Sequence, residues 1–275
     1  MKFAICNEMF EGWEFGRVCE AAKNAGYSGV ELAPFTLGKP ANEITEEERK
    51  SLREAARDSG IEISSTHWLL AQTTGLHINS PDKAVRDRTI EYLIHLIHLS
   101  ADVGAGAMVF GSPKQRSICE GVSPEDAWSL AADTFKAISP VLEDRGVTLC
   151  LEPLAPTETN LLNTAAEAAR MIREVASPHI QLLLDVKAMS SESKPIPDII
   201  RENRTIVKHF HANDANMRGP GFGNTDFVPI AAALKEIDYQ GWVAVEVFDF
   251  SPDPLTIAVK SIEYLKSVLP EERIA

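Results

Sequence analysis

The sequence predicts a single (β/α)8 TIM barrel over residues 1–275, and three observations carry that expectation. Eight short apolar runs rich in Val, Leu, Ile and aromatics alternate with eight longer amphipathic stretches. Such alternation means parallel strands joined by right-handed helical crossovers. An open doubly wound sheet shares the alternation but carries a glycine-rich phosphate turn after an early strand, and none stands here. A length of 275 residues is long for an ordinary domain and usual for one barrel of this kind. No linker, repeat or low-complexity segment marks a second domain.

Residues 3–6 (FAIC) form the expected first strand, and a helix over 15–25 ends at NAGYSG ahead of strand 29–33. The next helix, 45–59, opens on TEEER, because carboxylates favour a helix N-terminus, and stops at DSG before strand 62–65. Ser80-Pro81 offers a capping side chain ahead of a proline at the first helical position, which starts a helix over 81–103. Its end at VGAG precedes the run 107–110. Ser123-Pro124 repeats that start for a helix over 123–145, and DRG closes it before strand 147–152. Helix 164–175 leads to strand 181–185, helix 196–203 to strand 207–211, and helix 227–237 to strand 243–247. Helix 254–268 completes the ring.

Composition narrows the setting. An apolar content of 44% with 24% charged residues belongs to a soluble globular chain with a large core. A net charge of −13 argues against a nucleic-acid partner, whose phosphates need basic surface. Cys6, Cys19, Cys119 and Cys150 show no paired spacing and read as free thiols in a reducing compartment. MKFAICNEMFEGWEF reads as a first strand rather than a signal peptide, and no run approaches the ~18 apolar residues of a membrane span. The expected location is the cytoplasm, with no membrane partner.

Four of the runs end on a residue able to bind a metal: VTLCLE on Glu152, IQLLLD on Asp185, VKHFH on His211 and WVAVE on Glu246. Strand C-termini of a parallel barrel share one face, where active sites are built, so these four side chains are expected to converge. Singly, the three carboxylates have plain alternatives: Glu152 as a solvated carboxylate, Asp185 as a helix cap, Glu246 as a buried acid with a partner. His209 shares the pleat side of His211 and is expected one layer deeper, as a hydrogen-bonded core histidine. Three carboxylates and one imidazole suit Mn²⁺ first, then Co²⁺ or Mg²⁺, and leave two octahedral positions for substrate oxygens. A cis hydroxy-ketone or enediolate is the fitting bidentate guest. Proton abstraction beside its carbonyl is the expected reaction, with Glu152 and Glu246 as acid/base groups on opposite faces of the reacting carbon.

On these residues the whole chain resembles the xylose isomerase-like barrel superfamily, and most closely its D-tagatose/D-psicose 3-epimerase group. LEPLAPTETNLLNT is similar to that group's strand-five signature, and RGPGFGNTDF to the superfamily's PGxGxxDF loop. The resemblance implies metal and catalytic roles for Glu152 and Glu246, metal binding by Asp185 and His211, and substrate-hydroxyl contacts by Glu158. It implies that Arg218 grips the far end of a sugar, and that copies of the chain pair as a dimer or tetramer. One departure stands out. The epimerases carry a histidine three residues after the metal aspartate, where this chain has Ala188 beside Lys187. Lys187 is the candidate replacement donor, and the gap keeps open a dehydratase or lyase acting on a keto-sugar, keto-inositol or 3-keto-glycoside.

Other rim residues complete the expectation. His67, Trp68 and Phe248 are candidates for the substrate pocket wall, and Glu31 for orienting a ligand. The basic Lys114–Arg116 run offers donors to an anionic sugar, or partners to Glu120 and Glu125. No nucleophile elbow, dinucleotide fingerprint or phosphate loop is present.

Overall fold

The computed structural model describes residues 1–269. Eight parallel strands close in sequence order: β1 (Lys2–Cys6), β2 (Gly29–Leu32), β3 (Glu62–Thr66), β4 (Ala107–Phe110), β5 (Thr148–Leu151), β6 (Ile180–Asp185), β7 (Val207–Ala212) and β8 (Trp242–Val245). The helices that follow them are α1 (Phe15–Ala25), α2 (Glu46–Asp58), α3 (Lys83–Val103), α4 (Pro124–Arg145), α5 (Ala165–Val175), α6 (Val186–Met189), α7 (Ile196–Glu202), α8 (Phe227–Glu236) and α9 (Pro254–Val268). The single-turn α6 is an element that apolar periodicity does not signal. It forms because Asp185, ending β6, accepts the Ala188 N–H at 2.7 Å and caps the turn.

Strand alternation divides the interior. Outward side chains such as Ile5, Leu32, Phe110, Leu151, Leu182, Phe210 and Val243 pack against the helices in the main core. Many inward side chains are small: Ala4, Cys6 and Ala244 form one cluster against Trp242, and Ala107, Val109 and Cys150 join Leu183 in another. Small residues inside leave room for a polar column, in which Glu31 bonds His209 at 2.8 Å and His211 at 3.1 Å. His209 therefore sits below His211, also facing Ser65 Oγ at 3.4 Å.

The helix starts follow from local chemistry. Thr45 and Glu48 form a reciprocal capping box that opens α2, and three glutamates fill its first turn. Ser123 caps α4 with Pro124 at its first position, as the sequence implies. At α3 the expectation shifts by two residues. Asp82 is the cap, accepting the Ala84 N–H at 2.9 Å, while Ser80 Oγ accepts the Asp82 N–H. No helix among the described residues is long and apolar enough to cross a membrane.

Candidate active site at the barrel mouth

Counting in twos along the inward face reaches every residue of the site. Cys150 leads to Glu152, Leu183 to Asp185, His209 to His211, Ala244 to Glu246, Cys6 to Glu8, and Ser65 to His67. Glu152 and Glu246 lie one residue beyond their strands, yet the ladder continues under them. The Glu152 N–H donates to the Phe110 carbonyl at 3.2 Å and the Glu246 N–H to the Ala212 carbonyl at 3.3 Å. Asp185 and His211 are direct partners across β6 and β7.

One ligand atom from each of Glu152, Asp185, His211 and Glu246 lies within 4.8 Å of the other three. The four predicted residues are thus brought together, all buried. His211 is pinned for this: Nε2 faces Glu31 Oε1 at 3.1 Å, which turns Nδ1 to Glu246 Oε2 (3.1 Å), Glu152 Oε1 (3.4 Å) and Asp185 Oδ2 (3.9 Å). A carboxylate behind a ligating imidazole fixes its tautomer and orientation. Asp185 is the cap of α6 and also stands in the four-residue cluster. One oxygen caps α6, while the other accepts from Asn213 Nδ2 and faces His211.

The electrostatics call for a cation. Burial pushes the Asp185 carboxyl up to about 7, with Glu152 and Glu246 adding to the rise. Burial raises Glu152 too, more than the His211 ring lowers it. Glu246 behaves oppositely: burial opposes its charge, but His211 and His67 hold it well below the usual carboxylate range. His211 is held well above the ordinary imidazole value, since Glu246 and Glu31 outweigh its burial. Three acids thus compete for one ring. His211 Nδ1 and Glu246 Oε2 are moreover buried without a hydrogen-bond partner. Buried polar atoms are rarely left so, and the oxygen-rich donor set fits a hard or borderline divalent cation.

Above this cluster opens a cavity of about 420 Å³, walled by Phe35, Trp68 and Phe248 and floored by Glu152 and Glu246. His67, Trp68, Glu158 and Phe248 line it. Lys187 is not among the lining residues but touches two of them: its ammonium lies 2.9 Å from Glu158 Oε1 and 4.5 Å from the Phe248 ring centre. Burial lowers Lys187, but the Glu158 hydrogen bond and the charges of Asp185, Glu158 and Glu246 together raise it by more. Arg218 is not among the cavity-lining residues. It donates to the Ser251 carbonyl at 2.7 Å and stands 3.6 Å from Asp249.

Arg116 corrects the expectation of an anion-gripping basic run. It is fully buried, donating to the Glu152 carbonyl at 2.6 Å and the Leu162 carbonyl at 3.3 Å, so it meets neither Glu120 nor Glu125. Burial lowers its guanidinium to about 10. Lys114 of the same run does line the cavity. Glu8 escaped the sequence reading. It sits past the end of β1 in CNEMF, and only the inward parity from Ala4 and Cys6 marks it. Gly111 escaped too: a Cβ there would meet the Glu152 carboxylate.

The Xylose isomerase-like TIM barrel family model matches residues 19–268. The chain belongs to this family. It is 27% identical over 242 residues to the D-psicose 3-epimerase of Agrobacterium fabrum, covering 86% of this chain and 80% of that protein. To the 3-dehydro-D-guloside 4-epimerase of Escherichia coli it is 28% identical over 138 residues, 50% of this chain and 53% of that one. A crystal structure of a D-psicose 3-epimerase in the presence of D-fructose superposes with a TM-score of 0.86 at 23% identity, covering 98% of this chain and 99% of the other. At that identity the likeness concerns the fold.

Proposed function

We propose that this protein is a divalent-metal-dependent sugar epimerase or isomerase, of the ketose 3-epimerase kind, with Mn²⁺ as the first candidate ion. The observation that carries this reading is the division of labour in Glu152 and Glu246. Each turns one oxygen to the shared ligand point beside His211 Nδ1, and both line the cavity. Glu152, Asp185, His211 and Glu246 would hold the ion. When bound, it would supply positive charge beside the oxygens of a hydroxy-ketone and so acidify the C–H between them.

The remaining chemistry belongs to the chain. One glutamate takes the proton from one face of the carbon, and the other, entering protonated, delivers its own proton to the opposite face, which inverts the centre. Glu158, already charge-paired to Lys187, accepts from a substrate hydroxyl, and Lys187 stands where it can donate to a substrate oxygen. Trp68, Phe35 and Phe248 give an apolar wall for the carbon face of the sugar and keep water from the reacting carbon. In this reading Arg218 orders the loop through Ser251 rather than touching substrate.

The relatives named as psicose and guloside epimerases support the class of reaction. A lyase outcome draws on a single feature, Ala188 in place of an imidazole beside the substrate. Replacing Glu152 and Glu246 singly by Gln tests the two-base mechanism. Each variant should lose at least about 10³-fold in turnover, the upper range of general acid–base contributions combined with altered ligation. Wild-type-like turnover in either variant contradicts it.

A further inference from the structure

At the pocket floor stands an imidazole that the proton-transfer scheme does not use. His67, fully buried, faces a carboxylate at each ring nitrogen: Nε2 stands 3.1 Å from Glu8 Oε2, and Nδ1 stands 3.5 Å from Glu246 Oε1. Glu8 is itself only 5% exposed, and neither of its oxygens has a hydrogen-bond partner. A buried carboxylate so placed is costly unless a neighbour uses its charge. Among the described residues the one basic side chain in ion-pair range of it is His67, and His67 in turn faces the oxygen of Glu246 that does not point at His211. The same Oε1 accepts the Trp68 indole N–H at 2.9 Å.

We propose that Glu8 and His67 form a positioning dyad for Glu246, which with Trp68 fixes Oε1 as the proton-transfer oxygen while Oε2 faces the metal point. The inference rests on the epimerase reading and deepens it. Glu8 anchors the ring, the ring sets the rotation of the Glu246 carboxylate about its Cγ–Cδ bond, and Trp68 holds the same oxygen from the cavity side. Among the described residues the Glu152 carboxylate faces the shared His211 ring at 3.4 Å but has no dyad of its own. Its position is set through the backbone by Arg116 and by the space that Gly111 leaves. The two bases are therefore held differently, one by a side-chain dyad and one by its main chain. Because His67 and Glu8 act through Glu246, their removal changes how the base is aimed and leaves substrate binding in place.

The test compares metal-loaded wild type with Glu8→Gln, His67→Gln, His67→Ala and Trp68→Phe. The readouts are turnover on a ketose panel, Mn²⁺ affinity by calorimetry, and crystal structures with Mn²⁺ bound. Trp68 stands at the accessible rim, so its variant keeps the fold even where a buried change fails to. The expected result is a kcat lowered about tenfold or more in Glu8→Gln and Trp68→Phe, with KM and Mn²⁺ affinity within about twofold. His67→Gln, which keeps a donor on that side, recovers part of the loss relative to His67→Ala. In the crystal structures the Glu246 carboxylate keeps its orientation in wild type and turns in Glu8→Gln. Unchanged kcat in these variants overturns the inference, as does a loss accounted for by weakened Mn²⁺ binding. If wild type turns over no ketose, the function reading fails by itself. The dyad then stands or falls on the crystal structures, and an unmoved Glu246 in Glu8→Gln overturns it.

Discussion

The buried guanidinium of Arg116 donates to the main-chain carbonyl of Glu152 at 2.6 Å, tying the 113–117 turn to the first residue beyond β5. Arg116→Met leaves the Glu152 and Leu162 carbonyls without their donor in a dry setting, a loss of about 2–4 kcal/mol. The expected outcome is a melting temperature lowered by several degrees together with reduced turnover. A thermal melt checks the first and an activity assay the second. An unchanged melt would show that the buried guanidinium contributes no net stability.

Gly111 should tolerate nothing larger. Gly111→Ala puts a methyl group into the Glu152 carboxylate. The prediction is a loss of at least tenfold in metal affinity or turnover with circular dichroism unchanged, since the residue lies past the end of β4 and anchors no core packing.

The Lys187–Glu158 pair is expected to govern substrate affinity. Lys187→Met frees Glu158 and removes a donor, so KM should rise about five- to tenfold while kcat changes less than threefold. A fall in kcat with constant KM would instead place Lys187 in the chemical step.

Metal binding should strengthen with pH. Asp185 is raised to about 7 in the metal-free site, and ligation requires its ionised form. Going from pH 6 to pH 8 therefore raises apparent affinity about tenfold, one proton being released. The sign for metal-free stability is the reverse. A folded-state value above the unfolded 3.8 contributes stability at low pH that is lost as pH rises through about 7. His67, raised to about 10 because Glu8, Glu246 and Glu31 outweigh its burial, acts in the same direction above its ordinary value. Melts of chelated protein should fall from pH 6 to pH 8, less steeply in Asp185→Asn.

The barrel and its four ligand-type residues are legible in the sequence because strand periodicity and strand ends are local signals. Apolar runs closing on Glu152, Asp185, His211 and Glu246 need no tertiary information to be noticed. Glu8 is different. It follows a strand that ends at Cys6, and its meaning comes from His67, 59 positions away and supplied by another strand. Arg116 reads as surface charge because its sequence neighbours are polar, while its partner carbonyls lie on the segment after β5. Asp185 reads as either cap or ligand because a carboxylate has two oxygens, and the fold uses one as the cap and turns the other to Asn213 and His211.

The central claim is metal-dependent proton transfer beside a carbonyl, and deuterium exchange tests it most directly. The Mn²⁺-loaded protein is incubated in D₂O with free ketoses, keto-inositols and 3-keto-glycosides, then quenched, stripped of metal and followed by NMR. The account predicts one deuterium at the carbon next to the carbonyl, with that centre inverted or the carbonyl relocated, and no incorporation after chelation. Absence of exchange across the panel with metal stoichiometrically bound would contradict it.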